Sequence, residues 1–213
     1  MKPDFAKAVD PIFLHVLGLL DSIERGKPID VDSARERIIS RFDQAERQLS
    51  ARLDEWRLAE YALVCWIDEV LINAAWEGHD YWLQHKLEWE RFKSAVAFDN
   101  FYEQAAIASR QTQKDAFEVF YVCVVLGFRG MYTSPEEAKA LADARGWPAD
   151  LENWARKTTM SIQVGRWRPR IEISHVPISG APPLDGRRNF ASASAVFVGL
   201  LVLAGGLLFA NLL

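Results

Sequence analysis

Hydrophobic positions divide this chain into one unbroken apolar run and a series of patterned ones. From Phe190 to Leu213 the run FASASAVFVGLLVLAGGLLFANLL holds no Asp, Glu, Lys, Arg or His. As a helix its 24 residues, at about 1.5 Å of rise each, reach ~36 Å. A hydrocarbon core is roughly 30 Å thick, so the segment is long enough to cross it with some tilt. A buried core helix would keep a polar stripe, and here only Ser192, Ser194 and Asn211 interrupt. The pattern predicts a transmembrane helix over 190–213.

The patterned runs predict helices. Asp10-Pro11 reads as an N-cap followed by the favoured first-turn proline, ahead of Ile12, Leu14, Val16, Leu17, Leu19 and Leu20. Gly26 and Pro28 stop that helix. A second begins at Asp32 or Ser33, with Glu36 placed for a capping box. Its Ile38, Ile39, Phe42, Ala45, Leu49 and Leu53 fall at helical spacing, with charges opposite. Trp56 to Trp76 is apolar nearly all round, as in a helix buried among others. Gly78 ends it. Asp68 and Glu69 interrupt it, and it is too short to be a second span.

Tyr81 to Ala97 predicts one short helix rich in Trp, His and charge, and Asp99 to Ser109 another. Lys114 to Gly127 is the second strongly apolar segment: its Val and Phe content leaves a strand open, while its length and amphipathic start favour a helix. Gly127-Phe128-Arg129-Gly130 breaks the chain. Ser134-Pro135-Glu136-Glu137 starts a further helix, which ends near Gly146. A last one covers Ala149 to about Gln163. From Val164 to Asn189 four prolines and three glycines leave no helical period. The fold expected is all-α, with about seven or eight helices in two small bundles. The domains expected are a cytoplasmic helical domain over 1–163, a basic juxtamembrane linker over 164–189, and the span over 190–213.

Charge adds an orientation. The whole chain is at −4. In the linker Arg166, Arg168, Arg170, Arg187 and Arg188 stand against Glu172 and Asp185, giving it +3 and leaving the rest at −7. An acidic body argues against nucleic acid. A basic linker suits anionic headgroups, so membrane lipids are an expected partner. Arg187 and Arg188 keep their side of the span cytoplasmic by the positive-inside rule. The start MKPDFAKAVDP has no apolar signal-peptide core, which places the body in the cytoplasm with a single-pass anchor. Cys65 and Cys123 lie in apolar runs and read as reduced core residues.

Little chemistry emerges. The chain has neither HExxH nor paired CxxC, and no phosphate-binding or nucleophile-elbow motif. His79 and His85 are six apart and so fall on opposite sides of a helix. Glu77, His79 and Asp80 read as a solvated turn. A membrane-tethered metal enzyme built on His79, His85 and Glu88 is one competing reading, and a tail-anchored adaptor outside secretion is another. No catalytic, cofactor or metal residue is assigned. Asp68 and Glu69 diverge by about 100° on their helix and cannot both face one substrate atom. Either one pairs inside, with Arg129 or Arg57, while the other reaches water, or both emerge in a groove and meet a protein partner.

The stretch Ala62 to Trp76, with Asp68-Glu69 and then Asn73 and Trp76, resembles the signature of the DotU family, also called TssL. The stretch Phe120 to Tyr132, with its Leu126-Gly127-Phe128-Arg129-Gly130-Met131-Tyr132, is similar to that family's second block. Met131 stands where the family usually has Arg. Val96-Ala-Phe-Asp-Asn100 replaces its Gly-Gly-Glu run. The resemblance implies an inner-membrane component of a type VI, or the related type IVB, secretion system. It implies an IcmF-like (TssM) membrane partner, an outer-membrane lipoprotein and cytoplasmic baseplate proteins. It makes Asp68, Glu69 and Arg129 candidate partner contacts. In the span, Ala191, Ala195 and Gly199 at four-residue spacing, with Gly206 beyond, form a small-residue row expected to mediate self-association as a homo-oligomer or docking to the IcmF-like span.

Overall fold

In the computed structural model, residues 1–165 are described. The expected linker from 166 onward and the expected span over 190–213, with Ala191, Ala195, Gly199 and Gly206, lie outside them. The described residues form nine α-helices and two short 3-10 turns, with no strand among them. In chain order the helices are α1 (Pro3–Glu24), α2 (Val31–Gln48), α3 (Leu53–Asn73), α4 (His79–Gln84), α5 (Leu87–Phe92), α6 (Ala97–Arg110), α7 (Asp115–Val125), α8 (Pro135–Arg145) and α9 (Leu151–Gly165). The described residues fall within one compact unit.

The spine is α3. From Tyr61 to Asp68 every residue is buried, so this stretch has neighbours on all sides. On one side it meets α4, α5 and α2, and α2 pairs with α1. On the other it meets α6 and α7, with α9 against α7 and α8 against the turn after α7. The two expected bundles thus share one helix. Phe13 of α1 reaches Trp66 of α3 at 5.1 Å between ring centres. Phe101, Phe120 and Phe128 form a second ring cluster on the α6–α7 side. Each fully buried large apolar side chain contributes roughly 1.5–3 kcal/mol by leaving water.

Several expected boundaries differ: Leu53, expected in the second helix, opens α3, and α3 ends at Asn73 short of Trp76. The first helix starts at Pro3, not at Asp10, and Pro11 sits inside it. Pro11 and Lys7, whose carbonyl loses a donor to the proline, are both on the exposed face. The buried stripe Phe5, Val9, Ile12, Val16 and Leu19 runs straight past the proline, and its burial outweighs the lost bond. The second helix begins at Val31, and the capping box is not made: the Ser33 hydroxyl donates to Asp30 instead.

Asp115–Thr133 is the one described stretch with the length and apolar composition to cross a membrane. It is 56% buried within the fold, and its regular helix ends at Val125. It serves as a core helix. Cys65 and Cys123 are buried and free, and burial pushes both thiols up.

Candidate partner-contact site

Asp68 and Glu69 leave α3 in different directions and hold two different loops. Asp68 points to the α4–α5 side and is only 5% exposed. Its Oδ1 accepts from the Trp82 indole at 2.9 Å and from the Leu87 N–H at 3.0 Å. Its Oδ2 accepts from the Glu88 N–H at 2.9 Å. Those two amides open α5, so the carboxylate caps that helix from within. This cap explains why the expected helix from Tyr81 to Ala97 is instead two helices. His85 and Lys86 leave helical geometry between them, and the freed amides find Asp68. Burial pushes the Asp68 carboxyl up to about 6, against the three hydrogen bonds and the nearby Arg35.

Glu69 points to the α7 side and is half-buried. Its Oε1 accepts from the Arg129 N–H at 2.6 Å and its Oε2 from the Gly130 N–H at 3.0 Å. Burial raises its pKa, opposed by the same two amides and the Arg129 charge. The turn it grips needs glycine at both ends, since φ is +117° at Gly127 and +51° at Gly130. Phe128 is buried and stacks on Phe101 at 3.9 Å. The Tyr102 hydroxyl donates to the Arg129 carbonyl at 2.7 Å. The Trp66 indole donates to the Leu126 carbonyl at 3.2 Å. Tyr132 packs edge-on to Tyr102 and donates to the Pro148 carbonyl at 2.8 Å.

The expected side-chain pairing is therefore corrected. Glu69 meets Arg129 through its backbone. The Arg129 guanidinium donates to the carbonyls of Val124 and Phe128, both at 3.3 Å. Arg57 pairs with Glu60 and Glu46 instead. Neither acid of the pair is simply wet, because both are committed to their own chain. Arg129 is an exposed residue at the crest of the turn, beside Val125, which is exposed as well. A rigid loop that lifts a cation and an apolar side chain into solvent can present them to a partner without reordering.

The competing metal site is not assembled. Among the described residues no three His, Cys, Asp or Glu side chains group to hold an ion. His79 turns its Nδ1 to the Ile72 carbonyl, and His85 its Nδ1 to the Tyr81 carbonyl. Glu88 is 3% exposed, and its Oε1 accepts from Tyr61, Ser94 and the Val96 amide. It is a third loop clamp. Glu60, which binds Arg57 and Arg91, is one more buried acid that sequence reasoning passed over. Its place inside LAEYALV was the available signal.

The two blocks that carry the resemblance thus meet at one place: the acid of the first grips the turn of the second. The family described as "Type VI secretion system protein DotU" matches this chain over residues 4–213. The chain belongs to the DotU family. As a member it is a type VI secretion system component. Its fold is similar to that of the cytoplasmic domain of TssL from Acinetobacter baumannii, with a TM-score of 0.61 and 22% identity. That likeness covers 76% of this chain and 98% of the other. SciP/TssL from enteroaggregative Escherichia coli 042 is similar at a TM-score of 0.52 and 20% identity, over 70% of this chain and 90% of that one. No curated protein sequence matches the chain. In this DotU-family member, then, Asp68, Glu69, Gly127, Phe128, Gly130 and Tyr132 all have structural work that links α3 to two loops.

Proposed function

We propose that this chain is a membrane-anchored scaffold of the type VI secretion membrane complex, without catalysis of its own. The helical body lies in the cytoplasm and the segment 190–213 holds it in the inner membrane. It joins an IcmF-like (TssM) partner, and through it an outer-membrane lipoprotein, to cytoplasmic baseplate proteins. The observation that carries this reading is the Glu69-clamped turn with Arg129 at its crest. Arg129, held in place by Glu69, is the contact residue. Asp68 acts from inside, by fixing α4 and α5. The row Ala191, Ala195, Gly199 and Gly206 supports association of the span with a second copy or with the IcmF-like span, because small residues let helices approach closely.

Recovery of partners with the tagged full chain from membranes tests the reading. The wild type is expected to bring down a large membrane partner and baseplate proteins. Arg129→Glu is expected to lose the baseplate proteins while remaining in the membrane fraction. Gly199→Leu is expected to weaken the signal in a membrane two-hybrid assay. A wild-type chain that recovers none of these proteins, or that stays wholly in the soluble fraction, would overturn it.

A further inference from the structure

Between the C-terminal half of α1 and the start of α2 lies a groove of about 400 Å³ that the scaffold role leaves unused. Leu14, His15 and Gly18 of α1 line it, with Lys27 and Asp30 from the connection and Arg37 from α2. It shares no residue with the Glu69–Arg129 turn. Gly18 makes it a notch, since a Cβ built there meets nothing within 4 Å.

The groove is cationic in an acidic body. No carboxylate lies within ion-pair distance of Lys27, Arg37 or Arg41 among the described residues, although fourteen ion pairs form elsewhere. Asp30, the acid at the rim, accepts from Ser33; that bond and the Arg37 charge hold its pKa low, so it stays an anion and offsets one of the groove's two cations, Lys27 and Arg37. The Nε2 of His15 and the Nε of Arg41 are buried and have no hydrogen-bond partner. Burial, and after it the Arg41 and Arg37 charges, lower the His15 pKa. The Arg41 Nε is thus left without an acceptor, and the neutral His15 ring without a partner at Nε2. The rim is apolar as well as basic: Leu14 is 69% exposed, and Leu17 beside it is also exposed. A free phosphate would use the charge and ignore the leucines. No aromatic ring other than the His15 imidazole lines the groove for a nucleotide base to stack on.

We infer that the α1–α2 groove docks an acidic segment of a partner protein that carries leucine-type side chains beside its carboxylates. Carboxylates meet Lys27 and Arg37, while an apolar side chain enters the notch at Gly18 against Leu14. Basic rim charges of this kind set the rate and salt dependence of docking, and the notch sets its register. The inference takes from the proposed role only that the partner is a protein. The pull-down reads the Arg129 turn, so either can fail while the other stands.

The test uses the full chain in phosphatidylcholine nanodiscs and a fluorescent helical dodecapeptide of Leu and Glu, read by anisotropy. A matching peptide with Gln for Glu is the control. The Glu peptide is expected to bind and the Gln peptide to bind at least tenfold more weakly, with Glu-peptide affinity falling as salt rises. Arg37→Glu and Gly18→Phe are each expected to weaken Glu-peptide binding at least tenfold without lowering the melting temperature. Lys27→Glu, at an exposed position, gives the same reading should Gly18→Phe not fold. The inference fails if neither peptide binds, if both bind equally, or if the variants bind like the wild type. It also fails if phosphatidylglycerol vesicles, and not the peptide, are what these substitutions release.

Discussion

Asp68 and Glu69 are adjacent, alike in charge, and placed in opposite circumstances. Asp68 is sealed inside the α4–α5 side, with three donors on its two oxygens. Glu69 is half-buried on the α7 side, with two donors and an exposed arginine above it. The 100° step between neighbours on a helix is what lets one dipeptide serve both helix groups. The contrast separates the roles of a paired acid motif: one member fixes the interior, and the other shapes a surface. Partner binding should respond to the second directly and to the first only through stability.

Substitution at Asp68 should produce the largest effect. Asp68→Ala strands two backbone amides and an indole N–H away from water, which costs about 3–4 kcal/mol of unfolding free energy. Chemical denaturation of the detergent-solubilised chain measures it, and a loss under 1 kcal/mol would break the contrast. The pH dependence comes next. The folded value near 6 lies above the ordinary 3.8, so between those two values the folded state binds more protons than the unfolded one. The contribution of this group to stability is therefore greatest below pH 3.8 and declines as pH rises through about 6. Its total span is about 1–3 kcal/mol. Asp68→Asn should flatten that part of the profile, as denaturation at pH 4.5 and pH 7 will read.

Glu69→Ala should cost less, about 1–2 kcal/mol, because water reaches the released amides. Recovery of baseplate proteins should nevertheless fall more than it does for Asp68→Asn, in matched pull-downs. The smallest effect on stability belongs to Arg129→Ala, within about 0.5 kcal/mol as for other exposed positions. Its effect on partner recovery should match that of Glu69→Ala. Equal recovery by Arg129→Ala and the wild type would place the contact elsewhere.

The helices with strong apolar periods were legible from the residues, and so was the start of α8 at Ser134-Pro135. The proline rule misled at Pro11, where a continuous buried stripe outweighed one missing bond. The division of α4 from α5 left no local mark, since neither His85 nor Lys86 is a helix breaker. It depends on an acid seventeen residues upstream of His85, a distance at which pattern reading is blind. The residues suggest only that one acid of the pair meets Arg129 or Arg57 by charge; that Glu69 meets the Arg129 backbone is hidden, because sequence shows charges and not backbone amides. The groove at Gly18 was likewise invisible, as it needs α1 and α2 to be set side by side.

Hydrogen exchange on the full chain, resolved to single amides, tests the two-clamp account most directly. Glu69→Gln should speed exchange at Arg129 and Gly130 and leave Leu87 and Glu88 as protected as in the wild type, whereas Asp68→Asn should do the reverse. If either substitution exposes both pairs of amides, or neither, the two acids do not hold separate loops.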